Sequence, residues 1–73
     1  MIKIYFFARY RELMGRHIDE LEFTGSLQDL LQINDLAKIP TNALITIDDK
    51  VANGTEMVIS GSQISFLPPV SGG

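Results

Sequence analysis

Hydrophobic and polar residues alternate at both ends of this chain. Over residues 2–8 (Ile-Lys-Ile-Tyr-Phe-Phe-Ala), Ile2, Ile4, Phe6 and Ala8 fall on one side, and Lys3, Tyr5 and Phe7 on the other. A period of two predicts a strand whose uncharged set faces a core. The other set leaves two aromatic residues on an open face. Gln63–Leu67 alternates in the same way and predicts the last strand, with Ile64 and Phe66 inward and Ser65 and Leu67 outward.

The stretch between them switches period. Residues 9–14 fit about one and a half helical turns, closed by Gly15 as a left-handed cap. Residues 17–23 read as a second strand with Ile18, Leu21 and Phe23 turned inward. That alternation slips by one, which predicts a bulge. Ser26 is placed to cap a helix, with Asp29 near its positive end. Leu27, Leu30 and Leu31 then form an apolar stripe. Ile33, Leu36 and Ile39 predict a further short turn on the same core, and Pro40 ends the segment. A third strand is expected over 43–47. Asp48-Asp49 suits a tight turn, and 50–52 a return strand. Asn53-Gly54 and Ser60-Gly61-Ser62 mark later turns, with Met57–Ile59 packed between them.

The order β, β, α, β, β, β is met by an α+β, grasp-like fold: a mixed sheet with one main helix across one face. The first and last strands would lie side by side in parallel, burying Ile2, Ile4, Phe6, Leu27, Leu30, Leu31, Ile64 and Phe66 together. No internal repeat or linker interrupts the pattern. Residues 1–67 are expected to form one domain, and 68–73 a flexible, extended tail.

Composition narrows the function. A chain of 73 residues is one small domain, a size that suits a carrier or binding module better than a free-standing enzyme. The isolated chain is expected to have no active site of its own. Its 45% hydrophobic content supports a core, and its 21% charged content argues against disorder. No signal peptide is expected, because the start alternates like a strand, and no apolar run is long enough to cross a bilayer, so a cytoplasmic location is expected. A net charge of −3 without a basic run disfavours nucleic acid. Lys3, Arg9, Arg11 and Arg16 cluster in the first quarter, where they suit an acidic protein partner or simply a solvated surface. The absence of cysteine excludes disulfides, zinc–cysteine sites and thiol nucleophiles. His17, the one histidine, reads as a surface residue. Asp48-Asp49 reads as turn chemistry without a metal-loop pattern. Asp19, Glu20 and Glu22 read as a solvated strand face. No glycine-rich phosphate loop occurs, so the chain is expected to bind no cofactor itself and to leave ATP to a partner.

The tail carries the sharpest signal. Pro68-Pro69-Val70-Ser71-Gly72-Gly73 follows the last strand directly. Two prolines cannot donate to a ladder, and they favour an extended conformation that projects the tail stiffly from the body. Six extended residues reach at most about 20 Å. Gly72 and Gly73 lack side chains, so the tip can enter a narrow tunnel and present a terminal carboxylate as a substrate. A frayed end is the ordinary reading of a bare Gly-Gly. A rigid Pro-Pro between that end and a core strand argues for a purpose.

Phe66-Leu67-Pro68-Pro69-Val70-Ser71-Gly72-Gly73 resembles the C-terminal signature of the molybdopterin synthase small-subunit family, a branch of the ubiquitin-like sulfur carriers. Ile4-Tyr5-Phe6-Phe7-Ala8, then Arg11-Glu12-Leu13 and Gly15, and the Gly61 turn also resemble it. The middle helix is shorter than is usual there, and Ser62-Gln63 stands where an acidic pair is usual. The resemblance implies a β-grasp, ubiquitin-like fold. It also implies that an E1-like adenylyltransferase uses ATP to adenylate Gly73, and that sulfur transfer then makes a thiocarboxylate. The tail, through Pro68, Pro69, Val70, Ser71 and Gly72, would enter the large subunit of molybdopterin synthase, in a heterotetramer. There it would give its sulfur to cyclic pyranopterin monophosphate. A cysteine-free chain agrees with sulfur carried on the main chain. Phe7 and Leu67 are then expected as a docking patch beside the tail, with Val51 nearby and Arg11 as a further partner contact. Sulfur carriage for thiamine or tRNA thiolation, and a non-covalent interaction module, are the competing readings.

Overall fold

The chain is described by a computed structural model over residues 1–69. Strand β1 (Ile2–Phe6) and strand β7 (Gln63–Leu67) form its centre. They run parallel, in a register that sets Ile4 beside Ile64 and Phe6 beside Phe66. All four side chains are buried, and the two phenylalanine rings stack with centroids 5.7 Å apart. Strand β2 (Ile18–Leu21) flanks β1 antiparallel. On the other side β4 (Leu44–Ile47) pairs antiparallel with β7, and β5 (Lys50–Val51) extends that edge. The five-stranded order is β2-β1-β7-β4-β5. This is the expected mixed sheet of a β-grasp, with its predicted parallel central pair.

One face of the sheet is covered. Ser26 caps helix α2 (Leu27–Leu30), its hydroxyl accepting from the Asp29 amide at 3.1 Å. Leu27 and Leu30 are buried, while Leu31 is half-buried against the same core. A 3-10 helix, Asn34–Lys38, buries Leu36, and Ile39 follows it into the core. The short turn anticipated from Ile33, Leu36 and Ile39 is this element. Strands β3 (Gly25–Ser26) and β6 (Met57–Val58) add a small second sheet that the sequence pattern did not suggest, because neither is long enough to show a period. Val58 is buried, but Met57 and Ile59 are exposed.

Helix α1 (Arg9–Met14) closes one end of the core with Tyr10 and Met14, and Gly15 caps it at φ 74° as predicted. The Asp48-Asp49 turn is also as predicted. Both residues have positive φ, which a two-residue hairpin turn of this kind requires.

Two expectations on the early chain are corrected. Ala8 is exposed rather than inward: the strand ends at Phe6, and Ala8 turns the chain into α1 at φ 52°, ψ −126°. Ile18 is also outward, at 51% exposure, because it pairs with Tyr5 rather than with a core residue. Pairing runs unbroken from Ile2–Leu21 to Tyr5–Ile18, so the slip in alternation is not a bulge there. Asp19 instead takes the position beside Ile4 at the sheet edge, and its charge is met by Arg16 at 2.9 Å. No helix among the described residues is long and apolar enough to cross a membrane.

Candidate functional site

The site is the end of β7 where the tail leaves the domain. Because β7 lies between β1 and β4, its exit is flanked on both sides. The ladder continues one step past β1, with the Phe7 amide donating to the Phe66 carbonyl at 3.1 Å. On the other side Leu67 pairs with Leu44. Side chains alternate along each strand, and Phe6, Phe66 and Ile45 face the core. Phe7, Leu67 and Leu44 therefore share the opposite, open face in one row at the root of the tail. Phe7 is 39% exposed, and Leu67 and Leu44 are half-buried.

A second row lies one pair below: Ile18, Tyr5, Ser65, Thr46 and Val51, read across the five strands. Val51 is 69% exposed at its far end. The predicted interface residues Phe7, Leu67 and Val51 thus share a face, but Val51 stands two strands and one row away from Leu67. Sequence reasoning missed Leu44 and Ile18 on this face. The signal for Leu44 lay in the antiparallel register of β4 against β7, which no local pattern encodes.

Arg11 is exposed on α1, beside the row rather than within it. Arg9 and Arg11 form no ion pair among the described residues. Helix α1 itself is firmly held. The Arg16 guanidinium donates to the Met14 carbonyl at 3.0 Å, to Asp19 and to Asp35, and its carbon lies 5.1 Å from the centroid of the Phe6 ring. The hydrogen bonds from Arg16 hold the Asp35 carboxyl below the usual carboxylate range, and the Asp35 partner in turn raises Arg16. This clip joins the end of α1, the β2 edge and the 3-10 helix.

Pro68 and Pro69 are half-buried where the strand ends. The expectations for Val70, Ser71, Gly72 and Gly73 lie outside the described residues. Among the described residues, no group of His, Cys, Asp and Glu is arranged to hold a metal ion. The last described residues, Pro68 and Pro69, follow a central strand whose end lies between the apolar side chains of Phe7 and Leu44.

Comparison with known proteins agrees with that geometry. Residues 4–73 match the ThiS family. No curated protein matches the sequence. Among solved structures, a protein assigned as molybdopterin converting factor subunit 1 from Pyrococcus furiosus superposes with a TM-score of 0.76 at 21% identity, over 94% of this chain and 97% of that one. SAMP1 from Haloferax volcanii superposes with a TM-score of 0.70 at 18% identity, over 99% and 98%. A second structure of that small archaeal modifier protein gives 0.72 at 15% identity, over 94% and 97%. These three share the fold. The family match spans nearly the whole sequence, so the chain belongs to the ThiS family of ubiquitin-like sulfur carriers.

Proposed function

We propose that this chain is the sulfur carrier of a molybdopterin synthase. The observation that carries the reading is the exit of Pro68-Pro69 from the central strand, beside the Phe7–Leu67–Leu44 row and ahead of Val-Ser-Gly-Gly. The Gly73 carboxylate attacks the α-phosphorus of ATP on an E1-like enzyme and displaces pyrophosphate. A carboxylate is a poor electrophile until it gains such a leaving group. A sulfide nucleophile then adds to the acyl carbon and expels AMP, leaving a thiocarboxylate. The large subunit takes the tail and passes the sulfur to its pterin substrate. ATP stays with the activating enzyme, and this chain contributes the tail and the docking face of Phe7, Arg11, Leu67 and Val51. The molybdopterin converting factor among its structural neighbours supports this branch.

Sulfur carriage for thiamine is the second reading, because membership of the ThiS family of sulfur carriers does not by itself fix the pathway. The test is the intact mass of the chain after incubation with an E1-like activating enzyme, ATP and sulfide. A gain equal to replacing one oxygen by sulfur, mapped to Gly73, is expected. An unchanged mass with a demonstrably active enzyme overturns sulfur carriage. Pull-down of the loaded chain by a molybdopterin synthase large subunit, and not by a thiazole synthase, separates the two branches.

A further inference from the structure

The loop between β5 and β6 carries chemistry that sulfur carriage does not use. The Glu56 carboxylate accepts from the Asn53 amide at 2.9 Å and from the Gly54 amide at 3.0 Å. The Asn53 side-chain carbonyl accepts from the Thr55 amide at 3.0 Å and from the Thr55 hydroxyl at 2.7 Å. Glu56 is half-buried, and its backbone carbonyl accepts from the Leu27 amide at 2.9 Å. The loop is thereby anchored to the first residue of α2, whose side chain is buried in the core.

Asn53 owes its reactivity to the residue after it. An asparagine loses ammonia when the next backbone nitrogen attacks its carboxamide carbon. The new N–C bond closes a five-membered succinimide, the side-chain nitrogen leaves as ammonia, and water opens the ring to aspartate or isoaspartate. Water is the one co-reactant. Attack is least hindered where the next residue has no Cβ and the backbone turns freely. Asn34 precedes Asp35 and Asn42 precedes Ala43, so among the three asparagines only Asn53, before Gly54, has that freedom. Asn53 is exposed, which gives water access to the ring.

The folded loop opposes this reaction. The attacking species is the deprotonated Gly54 amide. A carboxylate that already holds the N–H stabilises the protonated form, and its charge disfavours a second anion beside it. The Asn53 amide, more than any other group, holds the Glu56 carboxyl below the usual carboxylate range, so Glu56 is charged at neutral pH. The two bonds from Thr55 fix the carboxamide in an Asx turn and restrict its rotation toward the Gly54 nitrogen.

We propose that Asn53-Gly54 is a latent deamidation site, held closed by Glu56 in the folded chain and released when the loop detaches from α2. The inference is independent of sulfur carriage. Isoaspartate adds one main-chain carbon ahead of Gly54. That carbon shifts Glu56 relative to Leu27, so the product keeps a weaker hold on the start of α2. Deamidation then marks chains that have opened at this loop.

The experiment follows deamidation of the full chain at neutral pH. It is read as the mass gain of exchanging an amide NH2 for OH, mapped to Asn53 by fragmentation. The folded parent is expected to react at least tenfold more slowly than the same chain unfolded in urea. Glu56→Ala, still folded by melting temperature, is expected to react at least fivefold faster than the folded parent. Glu56→Gln keeps an acceptor for Gly54 and removes the charge, so it tests the charge even where Glu56→Ala fails to fold, and it is expected to lie between the two. A folded parent that reacts as fast as the unfolded chain overturns the proposal. So do folded Glu56 variants that react at the parent rate. The isoaspartate product, separated from the parent, is expected to melt at a lower temperature, and an unchanged melting temperature overturns the link to α2.

Discussion

The two faces of the β1–β7 pair share one backbone and differ in how far they are covered. On one face Ile4, Phe6, Ile64 and Phe66 are fully packed. On the other, one residue along, Tyr5, Phe7, Ser65 and Leu67 remain partly open. Both faces carry large apolar side chains, so hydrophobicity alone does not separate them. The covered face is closed by α2, the 3-10 helix and α1. The open face has no covering element among the described residues, and its apolar row converges on the exit of the tail. Burial at one position stabilises the fold, and exposure at the next leaves an apolar side chain at the surface, where the proposed docking face lies.

Breaking the covered face should have the largest effect. Phe66→Ala is expected to cost about 3–5 kcal/mol, from lost burial and from a cavity facing Phe6. A domain of this size has little stability in reserve, so urea titration should find much of the variant unfolded. A loss below about 1 kcal/mol would mean that the face assignment is reversed. Leu67→Asp, one residue on, should change stability by less than about 1 kcal/mol. It should weaken binding to the activating enzyme at least tenfold, about 1.4 kcal/mol. Phe7→Asp should behave in the same way, read by KM for the chain in ATP–pyrophosphate exchange with melting temperature as the control.

The sheet edge tests how far the covered face extends. Arg16→Ala removes the clip to Asp19 and Asp35 and the contact with Phe6. Both carboxylates are about one-third exposed, so screening limits the expected loss to about 1 kcal/mol at neutral pH. Asp35 has its folded pKa lowered, chiefly by the Arg16 hydrogen bonds. The stabilisation it supplies is complete above the unfolded value of about 3.9 and is lost as pH falls through the lower folded value. The parent and Arg16→Ala chains should therefore converge in stability as pH drops below about 4. A gap that persists in acid would assign the effect to packing over Phe6. The smallest change expected is at the far hairpin. Asp49 has φ 70°, so Asp49→Gly should raise the urea midpoint by a gain of no more than about 1 kcal/mol, with no change in activation kinetics.

Much of the fold was legible because its signals are local. Ser26 three residues before Asp29 marked a helix start, Gly15 a helix end and Asp48-Asp49 a turn. Gln63–Leu67 alternates strictly, and its limits agree with the structure. Ile18 and Ala8 misled for different reasons: the strand ends before Ala8, and the register of β2 against β1 decides the face of Ile18. An apolar side chain in a short strand is assigned a face by the alternation around it, yet its true face depends on the residue across the ladder. The pairing of Ile18 with Tyr5 and the turn at Ala8 overrode the local pattern. The outward face of Phe7 was legible through alternation. The place of Leu44 was not, since it needs two distant segments to meet.

The amino-acid order by itself determined which residues can form the core strands, where the turns fall, and that a Pro-Pro-Val-Ser-Gly-Gly segment follows the last strand. These follow from side-chain chemistry and from the conformations that proline, glycine and aspartate favour. Tertiary structure decided what surrounds that segment. Only the parallel pairing of β1 with β7, and the antiparallel pairing of β4 with β7, bring Phe7 and Leu44 to either side of Leu67. Contacts between residues tens of positions apart depend on which strands pair and in what register, and that choice is set by burial of the whole core.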